Sequence, residues 1–430
     1  MIPIGALPCR SPWPRRLARA GCLAAVSTAL ALGARAEAPR VPPLFPVAPE
    51  EPFPEAKATF EEVKALLLEH YYTEDLTEDA LYLAAVKGML RQVSPPETPE
   101  LCRLYTVQEY RKLMDSLEGV QVSIGIKSTF NPNDGSLTVS EVLPGSPADG
   151  LLQPYDRVLR VNGELLKGRA VDEVNKLFVG DEGTTVALTV NRDIQVFELT
   201  LTRKQFETQT LVLGRLTDRI AAVDMRRFTT TLSADLAELL KPLAGEGVTG
   251  IIFDLRNNGG GVFAESLRAA ELFLPEKAIL LKTLEQKDKI KSYVSSNKTP
   301  FAFDLVLLVN GKTGSSAEVF TSSLKENDRA LVVGSRTYGK GVFEKTFDLA
   351  NQYRVQFITG AMYSPRGVPW QRRGVAPDFF IEQDEKTVDA LLKLPAKERV
   401  TKDTAMAAAF KLLQGKPQPK PAPAPEPAKP

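Results

Sequence analysis

Residues 304–341 have the sequence DLVLLVNGKTGSSAEVFTSSLKENDRALVVGSRTYGKG. Residues 305–309 form an apolar run of the length expected for a buried strand, and residues 330–333 form a second one. Two glycines interrupt the pattern after the first run, the second of them directly before Ser315. Lys340 lies 25 residues after the serine and has a glycine on either side. This arrangement predicts a serine at a strand-to-helix turn and a lysine in the loop after the next strand.

Ser315 has two interpretations, as a helix cap or as a nucleophile. Ala317, Phe320 and Leu324 recur at the spacing of one helix face, so a helix is predicted to begin beside the serine. Ser315 with Glu318 three residues later matches a capping box, in which the serine side chain satisfies a free helix N–H. Taken alone, the local pattern favours the cap.

Lys340 also has competing interpretations. Residues 334–340, GSRTYGK, match the first seven positions of a phosphate-binding P-loop. The eighth position should carry a Ser or Thr hydroxyl for magnesium, and here it is Gly341. The segment that follows, VFEKTFDL, alternates like a strand, whereas a P-loop is followed by a helix. Nucleotide binding is therefore disfavoured, and a plain surface lysine is the main alternative to a catalytic one.

The pairing of Ser315 with Lys340 is favoured by the lack of another base. A serine nucleophile needs a group that takes its proton, usually a histidine. The chain has one histidine, His70, on a predicted helix far from this segment. Lysine side chains can do this work where burial lowers their pKa. The glycines of residues 259–261 and the N–H of Ser316 could form an oxyanion hole, so the parts of an acyl-transfer site are present.

Residues 1–36 have the pattern of a secretory signal peptide. Four arginines precede an apolar stretch over residues 20–33, and Ala34-Arg35-Ala36 forms a cleavage site. A membrane span would need about 18 or more apolar residues. We therefore expect cleavage after Ala36 and a periplasmic or otherwise exported protein.

Removal of residues 1–36 takes away five arginines and no acids, so the net charge changes from +1 to −4. This balance offers no basic surface for nucleic acid. Cys102 is then the lone cysteine and cannot form an internal disulfide, so we expect a buried structural thiol.

The rest of the chain divides by composition and periodicity, and its predicted fold class is α/β multidomain. The predicted segments are a Pro-rich spacer (37–52), a helical N-terminal region (53–118), a PDZ-like α+β domain (119–203), an α/β layered core (204–395), a C-terminal helix (396–415) and a disordered Pro-rich tail (416–430).

The PDZ assignment rests on residues 145–163, GSPADGLLQPYDRVLRVNG, which resemble a PDZ domain. VQVSIGIKS, before them, alternates like one strand. The resemblance implies that consecutive backbone N–H groups there capture a peptide's terminal carboxylate while the peptide adds a strand to the sheet. The residues in question are Ser123, Ile124, Gly125 and Ile126. Ser123 replaces the glycine that is usual in the family.

Four segments together are similar to the tail-specific, or C-terminal processing, serine peptidases, which place a PDZ domain before the catalytic core. They are FDLRNNGGG (253–261), VNGKTGSSAE (309–318), TYGKG (337–341) and GVAPD (374–378). Their order and spacing match the family. The resemblance implies a peptidase that needs no cofactor or metal and acts on proteins with free C-termini, with a homo-oligomer or an adaptor as possible further partners.

The resemblance also implies roles for individual residues. Ser315 would be the nucleophile, Lys340 the general base, and the N–H groups of Gly260, Gly261 and Ser316 the oxyanion hole. The family often has glutamine four residues after the lysine, and this chain has Glu344 there. On a flat strand four residues span about 13 Å, so a contact between Lys340 and Glu344 would require a bend. A catalytically silent adaptor that captures C-termini is the alternative function.

Overall fold

The computed structural model describes residues 53–73, 75–96, 98–131, 134–169, 171–207 and 209–415. The predicted signal peptide, Pro-rich spacer and Pro-rich tail lie outside the described residues and stay predictions. Among the described helices, none combines the length and the hydropathy that a membrane span requires.

The described residues contain helices α1 to α10, numbered in chain order. They are Ala56–His70, Glu78–Gln92, Val107–Leu117, Val171–Lys176, Leu232–Gly245, Phe263–Glu271, Ser316–Glu326, Glu385–Leu391, Ala396–Lys402 and Thr404–Gln414. Strands β1 to β10 are Arg103–Tyr105, Val120–Ser123, Ile126–Asn131, Ser136–Val142, Arg157–Val161, Glu164–Leu165, Thr185–Arg192, Gln195–Thr202, Lys204–Glu207 and Leu211–Arg215. Strands β11 to β19 are Ile220–Met225, Gly250–Asp254, Ile279–Glu285, Lys289–Val294, Asp304–Val309, Ala330–Gly334, Val342–Asp348, Arg354–Tyr363 and Phe379–Phe380.

A six-stranded sheet forms the centre of the core, in the order β10-β11-β12-β15-β16-β19. All neighbours are parallel except β10, which is antiparallel to β11. Alternate residues of its strands face two separate apolar cores, because helices cover both faces of the sheet. Phe253 and Leu307 pack in the core that contains α5, α6 and α7, whereas Ile252 and Leu308 pack against α10. This confirms the α/β layered core.

A second sheet, β1-β18-β13-β14 with β17 also paired to β18, joins the N-terminal region to the core. Leu104 of β1 lies opposite Val355 of β18 in an antiparallel pairing. The region predicted as helical therefore also contains a strand, and this strand belongs to a sheet of the core. Cys102, directly before β1, is buried, and its Sγ donates to the Val93 carbonyl at 3.6 Å.

The PDZ-like domain has its own sheet, β3-β4-β5-β7-β8 with β6 on β5, and its own core around Leu137, Val158 and Leu188. The prediction of one strand over VQVSIGIKS is wrong. Ile124 is buried and Gly125 has φ 77°, which breaks the segment into β2 and β3. β2 pairs with β9 in a separate two-stranded sheet, while β3 lies at the edge of the domain's sheet.

The single C-terminal helix predicted over residues 396–415 is also wrong, since the structure has two helices there. Asp403 leaves helical geometry with φ −119° and ψ 111°. Its carboxylate accepts hydrogen bonds from the N–H groups of Ala405 and Met406, as an N-cap does. α9 therefore ends before Asp403 and α10 begins after it.

Candidate active site

Ser315 lies between β15 and α7, where the sequence predicted a strand-to-helix turn. Its backbone has φ 54° and ψ −120°, which is strained for a residue other than glycine. Such a conformation costs about 1–3 kcal/mol and persists where the surroundings impose it. A normal N-cap residue has an extended backbone, so helix capping alone does not account for this serine.

Glu318 is the residue that holds the Ser315 turn to the loop that carries Lys340 between β16 and β17, here called the lysine loop. Its side chain is fully buried. One carboxylate oxygen accepts from the N–H groups of both Ser315 and Lys340, at 2.9 Å each. The other accepts from the Thr337 hydroxyl at 2.5 Å and the Gly339 N–H at 2.7 Å. The amide nitrogens of the two candidate catalytic residues therefore lie no farther apart than twice 2.9 Å.

The sequence analysis assigned Glu318 to a capping box and missed this second role. The Glu318 half of the box is present, since the carboxylate accepts from the Ser315 N–H. Burial raises the pKa of Glu318, and the four donors oppose that rise. Because Glu318 is buried and accepts hydrogen bonds from two separate loops, it positions those loops relative to each other. The capping pattern in the sequence looks the same for such a residue and for an ordinary cap at the surface.

The glycine loop, which contains residues 259–261 after β12, lies directly against Ser315. A Cβ atom on Gly260 would lie 2.8 Å from the Ser315 Cβ and 2.9 Å from the Ser316 nitrogen, so this position requires glycine. The Ser316 hydroxyl donates to the Gly261 carbonyl at 2.9 Å, which ties the loop to the start of α7. The Gly260 N–H already donates to Asn258 Oδ1 at 2.9 Å. All three predicted oxyanion-hole residues are thus brought together beside Ser315.

Lys340 and Glu344 form an ion pair, with Lys340 Nζ 3.0 Å from Glu344 Oε1 and 3.2 Å from Oε2. Their side chains are 22% and 12% exposed. The pairing of β17 with β18 shifts register between Phe343 and Glu344, beside this contact.

Residues 370–374 support the lysine loop from outside. Trp370 Nε1 donates to the Lys340 carbonyl at 3.1 Å, and Gln371 Oε1 accepts from the Gly341 N–H at 2.6 Å. A Cβ atom on Gly341 would lie 2.6 Å from the Gln371 nitrogen, so the close approach explains the glycine. The loop continues into strand β17, as the sequence analysis expected, and not into the helix that a P-loop requires.

His70 and metal ligands do not enter this site. His70 is the last residue of α1, and its side chain is 64% exposed. Within the described ranges, no group of His, Cys, Asp and Glu side chains is arranged to hold a metal ion.

The predicted carboxylate-binding segment lies between β2 and β3. The Gly125 N–H donates to Ser123 Oγ at 3.1 Å, and the Ile124 carbonyl accepts from the Ala148 N–H at 3.0 Å. A Cβ atom on Gly125 would lie 2.0 Å from the Ser146 Cβ, so glycine is required here. The segment leads into Ile126 at the start of the edge strand β3, an edge that a peptide strand could join.

Comparison with known proteins identifies two domains. Residues 219–381, which include the Ser315 turn, the glycine loop and the lysine loop, match the family model described as peptidase family S41. This segment is therefore similar to the peptidases of family S41. A PDZ domain model matches residues 107–191, beginning in α3 and ending before β8.

Two relatives and one solved structure illustrate the similarity. A Staphylococcus saprophyticus protein named as a CtpA-like serine protease is 28% identical over 326 residues, 75% of this chain and 65% of that protein. Its Staphylococcus aureus N315 counterpart is 28% identical over 325 residues, 75% and 64% of the two chains. The chain thus spans slightly less than two thirds of the length of these curated relatives. An S41 protease structure from Bacteroides fragilis is 16% identical, covers 86% of this chain and 100% of its own, and has a TM-score of 0.56, which supports the fold.

Proposed function

We propose that this chain is a serine endopeptidase that cleaves proteins through an acyl-enzyme on Ser315, with Lys340 as the general base. The observation that supports this most is the shared Glu318 carboxylate, which accepts from the N–H groups of both residues. A strained serine at the end of a buried strand also favours a nucleophile over a helix cap. The match of residues 219–381 to the S41 peptidase model and the similarity to relatives named as serine proteases point the same way.

In the proposed reaction, the neutral amine of Lys340 takes the proton of the Ser315 hydroxyl, and the serine oxygen attacks the peptide carbonyl. The N–H groups of Gly261 and Ser316 stabilise the resulting oxyanion, while Gly260 leaves room for it beside Ser315. The lysine then gives its proton to the departing amine as the C–N bond breaks. Water, deprotonated by the same lysine, attacks the ester and releases Ser315.

Glu344 is the third residue of the proposed site. Only a neutral amine can accept the serine proton, whereas an ionised carboxylate 3.0 Å away stabilises the ammonium form. The pair must therefore separate, or Glu344 must take up a proton, before Lys340 acts as a base. We propose that the Lys340–Glu344 pair is a resting arrangement of the site.

Capture of the substrate is assigned to the PDZ domain. We propose that the backbone N–H groups of residues 123–126 bind the terminal carboxylate and that the substrate pairs with the free edge of β3. The basic and apolar pattern of residues 1–36 supports export, with the periplasm as the expected compartment.

The proposal is tested by hydrolysis of reduced, alkylated casein, which is unfolded. Wild type should cleave it, and Ser315→Ala should be inactive yet folded, because loss of a capping hydroxyl costs only about 1 kcal/mol. An active Ser315→Ala variant would refute the mechanism. Inactive wild type that still binds peptides with free C-termini would instead favour the silent adaptor.

A further inference from the structure

A cavity of about 870 Å³ lies between the PDZ domain and the core, and its lining does not include Lys340 or Glu344. One face of α3 forms its first wall, and β2 with residues 179–182 forms another. Val120 and Val122 of β2 supply apolar surface, and Arg227 closes the cavity on the side of the core.

Arg227 is an unpaired cation that the proposed mechanism does not use. Its Nε atom is buried without a hydrogen-bond partner in the described residues. Burial lowers the pKa of Arg227. Removing a charge from water without a partner is costly, so an unpaired guanidinium in a cavity points to an anionic ligand.

The position of Arg227 connects this cavity to the candidate active site. The next residue, Phe228, donates its N–H to the Gly260 carbonyl at 3.0 Å and accepts from the Val262 N–H at 2.7 Å. Arg227 is therefore one residue away from the backbone that holds the glycine loop. A polypeptide bound at Arg227 would lie close to that loop.

Three acids and three cations line the cavity, and two of the acids accept hydrogen bonds from neutral donors. Asp181 accepts from Gln108 Nε2 at 3.0 Å, and Glu182 accepts from the Gln205 N–H at 3.4 Å. Arg111, Lys112 and Asp115 of α3 also line the cavity. Within the described part of the chain, no ion pair is formed by the three lining cations, Arg111, Lys112 and Arg227. Arg227 thus places an unpaired guanidinium beside the apolar wall of Val120 and Val122.

We propose that this cavity binds an acidic residue of the polypeptide substrate, with its carboxylate against Arg227 and an aliphatic neighbour against Val120 and Val122. The inference rests on the proposed peptidase function and adds a specificity determinant to it. A side-chain carboxylate and a terminal carboxylate of the substrate offer Arg227 the same chemistry. We assign the side-chain carboxylate to Arg227, because residues 123–126 are the candidate site for the terminal carboxylate.

The test uses quenched fluorogenic peptides of one parent sequence, in which glutamines are replaced by glutamate one position at a time. Wild type should prefer glutamate over glutamine at one position by about 10-fold to 100-fold in kcat/KM, the range expected for a hydrogen bond to a charged group. In Arg227→Met this ratio should fall to about one, whereas the neighbouring exposed Arg226→Met should keep it. The preference should persist when the peptide C-terminus is amidated, and its loss on amidation would overturn the side-chain assignment.

A second measurement separates this inference from the peptidase proposal. Fluorescence anisotropy of the same peptides on the Ser315→Ala protein gives the glutamate-to-glutamine ratio of Kd without turnover. A ratio that Arg227→Met abolishes supports the site even if the wild type hydrolyses nothing. No glutamate preference at any position, or an equal preference in Arg227→Met, would overturn it. Arg227→Met should also unfold at the same or a higher temperature, because Nε has no described partner to lose.

Discussion

Glu318→Gln should uncouple the serine from the lysine while keeping the size and shape of the side chain. Each carboxylate oxygen of Glu318 accepts two hydrogen bonds, one pair from Ser315 and Lys340 and the other from Thr337 and Gly339. An amide has one acceptor oxygen, so one orientation of the glutamine places an NH₂ group against the N–H groups of Ser315 and Lys340, and the other places it against the Gly339 N–H.

The size of the effect follows from these contacts. A hydrogen bond to a charged group contributes about 1.5–3 kcal/mol, so the loss of one or two is about 1.5–6 kcal/mol of local interaction. The glutamine also avoids the burial cost of a charge, which is the cost that raises the pKa of Glu318. We therefore expect stability to change by less than that sum. Activity should fall further, since displacing a catalytic group by about 1 Å can cost roughly 100-fold.

The assay is kcat/KM on a fluorogenic peptide together with urea unfolding. Glu326→Gln is a matched control, because Glu326 lies on the same helix and accepts from a single N–H, that of Arg366. We expect a loss of about 100-fold or more for Glu318→Gln and little change for the control. Activity of Glu318→Gln within a few-fold of wild type, at normal stability, would show that the shared carboxylate does not position the site.

Three further predictions concern other contacts. Glu344→Gln removes the charge that faces Lys340, so kcat/KM at neutral pH should rise; an unchanged value would show that the two are not coupled. Arg192→Met should cost roughly 3 kcal/mol in urea unfolding, because it leaves the buried Asp156 carboxylate unpaired. Burial alone would raise the pKa of Asp156, but Arg192 lowers it overall. The stability that this ion pair contributes is therefore complete above pH 3.8 and is lost as the pH falls through the lowered pKa. An Arg192→Met variant that loses stability in acid in the same way as wild type would contradict this. Amidation of a substrate C-terminus should slow its hydrolysis if residues 123–126 bind the carboxylate, and equal turnover would remove them from substrate selection.

The central strands and the turn at Ser315 were predictable because their signals are local. Buried parallel strands are continuous apolar runs, and α7 shows its apolar face at helical spacing. Asp403 shows where a local signal was missed, since an aspartate before the TAMAAAF segment is an N-cap pattern that could have divided the C-terminal helix.

Other features depend on contacts between distant parts of the chain. The three-residue strand Arg103–Tyr105 forms because β18, about 250 residues later, offers an edge, and its own sequence carries no strand pattern. Glu318 satisfies a capping pattern equally well whether or not residues 337–340 lie beside it. The contact of Glu344 with Lys340 lies beside a register shift between β17 and β18, which neither residue encodes by itself.

The central claim is that Ser315 is a nucleophile activated by Lys340. The most direct test is incubation of the folded protein with a fluorophosphonate probe, followed by peptide mapping in a mass spectrometer. A single adduct on Ser315 is expected in wild type, with none in Ser315→Ala and a strongly reduced rate in Lys340→Ala. An adduct on another serine, or a labelling rate in Lys340→Ala equal to that of wild type, would contradict the account.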